Sequence, residues 1–193
     1  MKKNLKEFNI VIAGVGGQGL ITLLEVLAEA AIVEGYDLKT SELHGLAQRG
    51  GSVEVHIRFG KEIFSPLVSQ GKADLILGLE MAESLRAVYF ASPQTTFLIN
   101  KFIIPVSLEK SSPSKIFKNL KKFSKKIILI PATNICQKKV GTFVTAGIYL
   151  LGYAIFKKLI PLKSNSIIKA IEKIIPQKYL EINLKTFNLA KLR

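Results

Sequence analysis

The sequence has one cysteine, Cys136, and two histidines, His44 and His56, among its 193 residues. A single thiol excludes an intrachain disulfide framework. Iron–sulfur clusters are ordinarily held by four thiolates, so this chain by itself cannot carry one. One cysteine with two histidines is also too few for a typical zinc site. Long hydrophobic runs are missing as well. The stretches "LITLLEVLAEAAIV" and "FVTAGIYLLGYAIF" are each shorter than the roughly 20 residues of a membrane span. The second is apolar all round and predicts a buried helix. The opening "MKKNLKEF" lacks the apolar segment and small-residue cleavage site of a secretory leader. These absences predict a soluble, cytoplasmic protein with no metal site and no membrane partner.

Hydrophobic residues make up 48% of the chain, enough for a substantial core, and the length fits one domain over residues 1–193. The charge is lopsided. Residues 1–100 hold 9 basic and 11 acidic side chains, and residues 101–193 hold 19 and 3. Such asymmetry raises the possibility of a basic, non-catalytic binding module for nucleic acid or an acidic surface. Against it, 18 of those 19 basic residues are lysines, and the arginine forks and interleaved aromatics that read bases are missing. A solvated lysine face with no nucleic-acid partner is the plainer expectation.

Along the chain, "FNIVIAG" (Phe8–Gly14) is a β-branched run ending at glycine and predicts a buried strand. Helical spacing of Leu20, Leu23, Leu24, Leu27, Ala28 and Ala31 predicts a helix over Gln18–Glu34, stopped by Gly35. "YDLKTSEL" predicts a second strand, so Phe8–Leu43 reads as a βαβ unit. "SVEVHIRF" (Ser52–Phe59) alternates strictly, and "FGKEIF" reads as a tight turn into a further strand. Together they predict an antiparallel hairpin inserted in a parallel wind. "ADLILGLE" predicts a central strand followed by a helix to about Phe90. "TTFLIN" and "KKIILIPA" predict two more strands, flanking a helix over Ser112–Phe123. Three helices over Gly141–Lys158, Ser164–Ile175 and Lys178–Leu192 complete the chain. The expected fold is α/β: a mainly parallel sheet with a Rossmann-like start, an antiparallel hairpin insertion and a helical C-terminal third.

Residues Gly14–Gly19 read "GVGGQG" between the first strand and first helix. In that setting a G-x-G-x-x-G turn cradles phosphate, because backbone N–H groups and a helix N-terminus face the ligand. Gly14 is expected to permit the sharp turn, Gly16 and Gly17 to bare the backbone, and Gly19 to let the helix pack closely. Gln18 lies between them. A glycine turn that serves close packing alone is the alternative. A dinucleotide site also needs an acidic residue near the end of the second strand, and Glu42 is the formal candidate. A stand-alone NAD(P)-binding oxidoreductase therefore remains open.

The loop "HGLAQRGG" (His44–Gly51) follows the second strand, so it shares the C-terminal edge of the sheet with the glycine turn. Arg49 offers a rigid fork for a carboxylate or phosphate. His44 can donate, accept or shuttle a proton near neutral pH. Gln48 supplies an amide, and Gly50 and Gly51 allow close backbone approach. The alternative is a surface loop whose Arg49 pairs with Glu42.

"GVGGQG", "SELHGLAQRGGSVEVHIRFG", "SPLVSQGKADLILGLE" and the terminal "EINLKTFNLA" occur in this order. Together they resemble the gamma-type subunit or domain of the 2-oxoacid:ferredoxin oxidoreductases, over nearly the whole chain. The Q-R-G-G loop at this distance behind G-x-G-G-Q-G is the most specific element. The histidine-bearing "AQRGG" version, followed by "ADLILGLEMAESLRA", is most similar to the beta subunits of the indolepyruvate branch. Gly147 departs from the asparagine that many relatives would have. The resemblance implies oxidative decarboxylation of an aryl pyruvate with coenzyme A to aryl-acetyl-CoA, carbon dioxide and reduced ferredoxin. It also implies thiamine diphosphate and iron–sulfur clusters on a larger alpha subunit, the partner that would pass electrons to ferredoxin. This chain has no thiamine-diphosphate motif and would not act alone. The resemblance further implies that Gly14, Gly16, Gly17, Gln18, Gly19, His44, Gln48, Arg49, Gly50 and Gly51 line part of the coenzyme A or active-site cleft. No catalytic residue is assigned.

Overall fold

The computed structural model describes residues 5–44, 50–104 and 112–192, without the side chain of His44. A six-stranded sheet runs in the order β2-β3-β1-β4-β5-β6. Its strands are β1 (Glu7–Val15), β2 (Asp37–His44), β3 (Ser52–Gly60), β4 (Leu75–Gly78), β5 (Thr96–Asn100) and β6 (Ile127–Ile130). β1, β4, β5 and β6 pair in parallel, and β3 pairs antiparallel with both β1 and β2. The mainly parallel α/β architecture expected from the sequence is what forms.

The helices are α1 (Leu20–Val33), α2 (Met81–Arg86), α3 (Pro113–Leu120), α4 (Ala132–Val140), α5 (Ala146–Phe156), α6 (Ser164–Ile174) and α7 (Gln177–Leu189). Residue alternation in β1 sorts them into two layers. Ile10 and Ile12 belong to one core with residues of α1 and α4–α7, and Val11 and Ala13 to a second with Met81 of α2 and Ile116 and Leu120 of α3. A strand buried on both faces reads as a continuous apolar run, which is why "NIVIA" shows no alternation. β3 does alternate: Val53, Val55, Ile57 and Phe59 all enter the first core. Among the described residues no helix is long and apolar enough to cross a membrane.

The structure corrects three details. β1 and β2 run the same way, as the βαβ unit predicts, but β3 lies between them. The strand expected from "FGKEIF" does not form, since residues 61–74 contain no strand. The segment after Gly60 is held instead by side chains of β2 and β3: Ile63 N–H donates to Asp37 Oδ2 (2.7 Å), Arg58 Nη1 to the Ser65 and Leu67 carbonyls (2.9 and 3.3 Å), and Val68 N–H to His56 Nδ1 (3.0 Å). These bonds satisfy backbone groups that a ladder would otherwise serve. The antiparallel hairpin is therefore β2–β3. Finally, α4 forms where the sequence reading placed nothing. Its apolar face, Ala132, Ile135, Cys136 and Val140, spans only nine residues, too short a run for periodicity to reveal.

Candidate functional site

The path from β1 leads outward on one side, through α1 to β2, and β4 lies on the other side. The C-terminal ends of β1 and β4 therefore bound a topological switch point, where open α/β sheets leave a crevice. The glycine turn sits there. Gly17 (φ 100°) and Gly19 (φ 79°) have left-handed conformations, so the turning is theirs. Gly14 is still within β1 and does something else: a Cβ on it would lie 2.8 Å from Gln18 Oε1 and 3.2 Å from Leu79 Cβ. It makes room for Gln18. A Cβ on Gly19 would meet nothing within 4 Å, so this glycine does not serve helix packing. Two roles expected from the motif are thus exchanged for others, because the strand continues one residue past Gly14.

Gln18 bends back onto the sheet. Its Oε1 accepts from Val15 N–H (2.8 Å), and its Nε2 donates to the Leu79 carbonyl (3.4 Å). The same carbonyl accepts from Asn100 Nδ2 (3.1 Å), which also donates to Thr133 Oγ1 (2.7 Å). Thr133 N–H returns a bond to Asn100 Oδ1 (3.2 Å). Two amides on one carbonyl pin the ends of β1, β4 and β5 to each other. Asn100 and Thr133 escaped the sequence reading. The available signal was an asparagine closing the apolar strand "TTFLIN", on the edge where ligands bind.

The loop after β2 does reach the glycine turn. Gly16 N–H donates to the Gly51 carbonyl (2.9 Å), and Gly50 N–H donates weakly to the Gly16 carbonyl (3.5 Å). Of the other expected loop residues, Gln48, Arg49 and the His44 side chain lie outside the described residues. Ser52, just beyond, donates through Oγ to Glu83 at the start of α2. Glu83 N–H is in turn capped by Glu80 Oε2 (2.8 Å), whose Oε1 accepts from Ile104 N–H (3.2 Å). Burial pushes the Glu80 carboxyl above the usual carboxylate range, against these N–H bonds and with the nearby Glu83 charge adding slightly.

Two cavities open from this edge. The smaller, about 270 Å³, is lined by Gly16, Gly17, Gln18, Asn100 and Thr133, with Phe143 on its rim. Among the described residues its lining has no charged side chain. The larger, about 750 Å³, lies between the start of α1 and α5–α7, with Leu23, Ile148, Ile174, Ile175 and Ile182 in its walls. Gln18, Val144 and Gly147 border both.

Glu42 does not complete a dinucleotide site. With β3 inserted, it stands on the edge strand two spacings from β1, about 10 Å away in the sheet direction. Metal chemistry has no ready donor set here: among the described residues no three His, Cys, Asp or Glu side chains gather in a group that could hold an ion. Cys136 is buried against the first core, and desolvation pushes its thiol up. The lysine face is solvated where it is described, with Lys115, Lys118, Lys121, Lys122, Lys125 and Lys126 exposed.

Comparison with known proteins places this arrangement. Residues 9–191 match the family model of pyruvate ferredoxin/flavodoxin oxidoreductase. The chain is 34% identical over 187 residues to the indolepyruvate oxidoreductase subunit IorB of Archaeoglobus fulgidus, covering 94% of this chain and 92% of that one. The pyruvate oxidoreductase subunit PORC of Thermotoga maritima has a similar fold, with TM-score 0.73, 22% identity and 97% of each chain covered. A similar fold also occurs in a 2-oxoglutarate:ferredoxin oxidoreductase from Magnetococcus marinus, solved with 2-oxoglutarate, coenzyme A and succinyl-CoA bound. The TM-score is 0.73 at 16% identity, over 97% of this chain and 31% of that longer one.

Proposed function

The chain belongs to the pyruvate ferredoxin/flavodoxin oxidoreductase family, and from that premise we propose that it is the smaller, cluster-free subunit of a coenzyme A-dependent 2-oxoacid:ferredoxin oxidoreductase. Its substrates in this reading are indolepyruvate and related aryl pyruvates. The reaction breaks the bond between the 2-oxoacid's carboxyl and carbonyl carbons and releases carbon dioxide. A thioester forms to the thiol of coenzyme A, and two electrons pass to ferredoxin. Thiamine diphosphate and iron–sulfur clusters supply the carbanion and electron chemistry, and both sit on a larger alpha subunit. The donor set agrees with this division, since one cysteine cannot hold a cluster.

The observation that carries the reading is the junction of the two most distinctive sequence elements. The Gly16 N–H bonded to the Gly51 carbonyl brings the G-x-G-G-Q-G turn and the glycine pair that ends Q-R-G-G to one edge, beside two cavities. This chain's part is to bind and orient. Backbone N–H groups and the Thr133 hydroxyl, oriented by Asn100, offer donors to a polar or anionic group, and apolar helix walls exclude water from whatever lies beyond. Arg49, from the same loop in sequence, is proposed to hold an anionic group of coenzyme A or to brace the partner.

The test is co-purification with the larger subunit followed by a viologen-reduction assay with indolepyruvate, coenzyme A and thiamine diphosphate. Turnover is expected from the complex and none from this chain alone. Activity of the isolated chain, or an assembled complex inert toward every 2-oxoacid, overturns the reading. In the active complex, Arg49→Lys should fail to restore what Arg49→Ala loses, because lysine keeps the charge but not the two-pronged geometry.

A further inference from the structure

Helix α5 contains two glycines in different surroundings. A Cβ at Gly152 would lie 2.6 Å from the Phe187 backbone carbonyl oxygen, so α7 forbids a side chain there. A Cβ at Gly147 would meet only the tip of Leu23, with Cδ1 at 2.9 Å. No backbone atom blocks it, and its φ is not in the left-handed region. Glycine inside a helix costs about 1 kcal/mol relative to alanine. At Gly152 tight helix packing accounts for that cost. At Gly147 the missing side chain leaves room for the tip of Leu23, which lines the larger cavity and would be pushed into it by any side chain here, and Gly147 itself lies on the border shared by the two cavities.

We propose that Gly147 joins the two cavities into one trough that seats an aryl 2-oxoacid, or its aryl-acid analogue, with the ring in the larger cavity and the anionic end in the smaller. This deepens the function proposed above and rests on it. The larger cavity, about 750 Å³ and walled by Leu23, Ile148, Ile174, Ile175 and Ile182, is within the size range of small-molecule sites and suits a flat apolar ring. Its described lining carries one carboxylate, Glu25, and that of the smaller cavity carries none. An anionic end is therefore favoured away from Glu25, beside Asn100 and Thr133. The Thr133 hydroxyl accepts the Asn100 amide proton, which leaves its own proton to donate. Gly147 is in this assignment a specificity-determining residue: it sets how far an apolar group can pass the border that it shares with Gln18 and Val144.

The sequence contains no tryptophan, so an indole ligand can be excited selectively. The probe is indole-3-lactate, a stable hydroxy analogue, titrated against the full chain by fluorescence anisotropy. Saturable binding is expected. Gly147→Leu should weaken it of the order of 10- to 200-fold, the range that excluding a methylene-sized to larger apolar group commands. Ile182→Phe fills the larger cavity from α7 and should act in the same sense, and it keeps the test decisive if the Gly147 variant does not fold. The proposal is overturned if the wild-type chain shows no saturable binding, or if a variant with a native-like melting transition binds the probe as tightly as wild type. It is overturned too if binding disappears on assembly with the larger subunit, because the cavity then receives the partner. In the complex, Gly147→Leu should lower indolepyruvate turnover relative to pyruvate. An unchanged ratio in an active complex sinks the trough and leaves the subunit reading intact. A complex inert to all 2-oxoacids, with probe binding retained by the chain, sinks the subunit reading and leaves the aryl-acid site standing.

Discussion

The two ends of the sheet use their polar groups differently. At the N-terminal end of β1, charges are consumed by the chain itself. Arg58 donates to Asn9 Oδ1 (2.8 Å), Glu7 Oε2 (3.0 Å) and the carbonyls of Ser65 and Leu67, while Asp74 Oδ2 accepts from Asn9 N–H (2.7 Å). At the C-terminal end the Glu80 and Glu83 carboxylates are taken up by backbone N–H groups, Ser52 and Arg86, but the groups around the smaller cavity are neutral: two amides share the Leu79 carbonyl and glycine backbone is bare. One end spends its polar groups on holding the Ser65–Val68 segment, and the other keeps open space. The difference teaches that ionic groups in this molecule mark scaffolding at both ends, and that the neutral cavity border is where a ligand finds unfilled room.

The contrast predicts a graded set of effects. Arg58→Ala should be the most damaging to stability, since it unpairs a buried Asn9 and two loop carbonyls at once. About 3 kcal/mol is expected, or a fall in Tm of roughly 6–12 °C at about 2–4 °C per kcal/mol. Probe binding at the opposite end should hold within about a factor of two below the transition, because distant sites act independently. A variant that melts normally but loses the ligand would break the comparison. Next, Gly152→Ala should cost about 1–3 kcal/mol, as overpacking against backbone does, while Gly147→Ala stays within about 1 kcal/mol of wild type because helix propensity offsets the Leu23 shift. Chemical denaturation of the pair measures this, and equal losses would remove the distinction between the two glycines. Asn100→Ala should cost about 1–2 kcal/mol by unpairing Thr133 N–H, and should also weaken indole-3-lactate binding. A stability loss without any change in binding would make Asn100 scaffold only.

The smallest effect is one of pH. Burial raises the folded carboxyl of Glu80 above its unfolded value. Between those two values the folded chain holds a proton that the unfolded chain has released, so stability falls as pH rises through that window. Melting curves of wild type and Glu80→Gln, compared at mildly acidic and neutral pH, should show the wild type gaining relative to the variant on acidification. A gap that is constant or of opposite sign contradicts the assignment.

How far the sequence could be read depended on the range of the interaction that decides each feature. Strands β1, β4 and β5, helix α1 and the Ser112–Pro113 start of α3 were legible because burial, periodicity and capping are written in neighbouring residues. The hairpin partner was misplaced because "FGKEIF" has strand-like composition, yet Arg58, His56 and Asp37 take over its backbone bonds from afar. Helix α4 was passed over because Ala132, Ile135, Cys136 and Val140 make a stripe only nine residues long. At the site, Gly16, Gly17 and Gly19 announced a bared turn, whereas Asn100 and Thr133 gave only the faint sign of polar residues at strand ends.

By itself the sequence determined the α/β class, the switch from strand to glycine turn to helix, and the impossibility of a cluster on one cysteine. Each follows from local stereochemistry or from a count of donors. Only the tertiary structure decided that β3 separates β1 from β2, which carries Glu42 out of reach of the glycine turn. It likewise decided that Gly14 shelters Gln18, and that Gly147 borders two cavities while Gly152, five residues on, meets a backbone oxygen. Those outcomes depend on which distant atoms arrive at a given point in space, and a linear string of residues does not contain that distance.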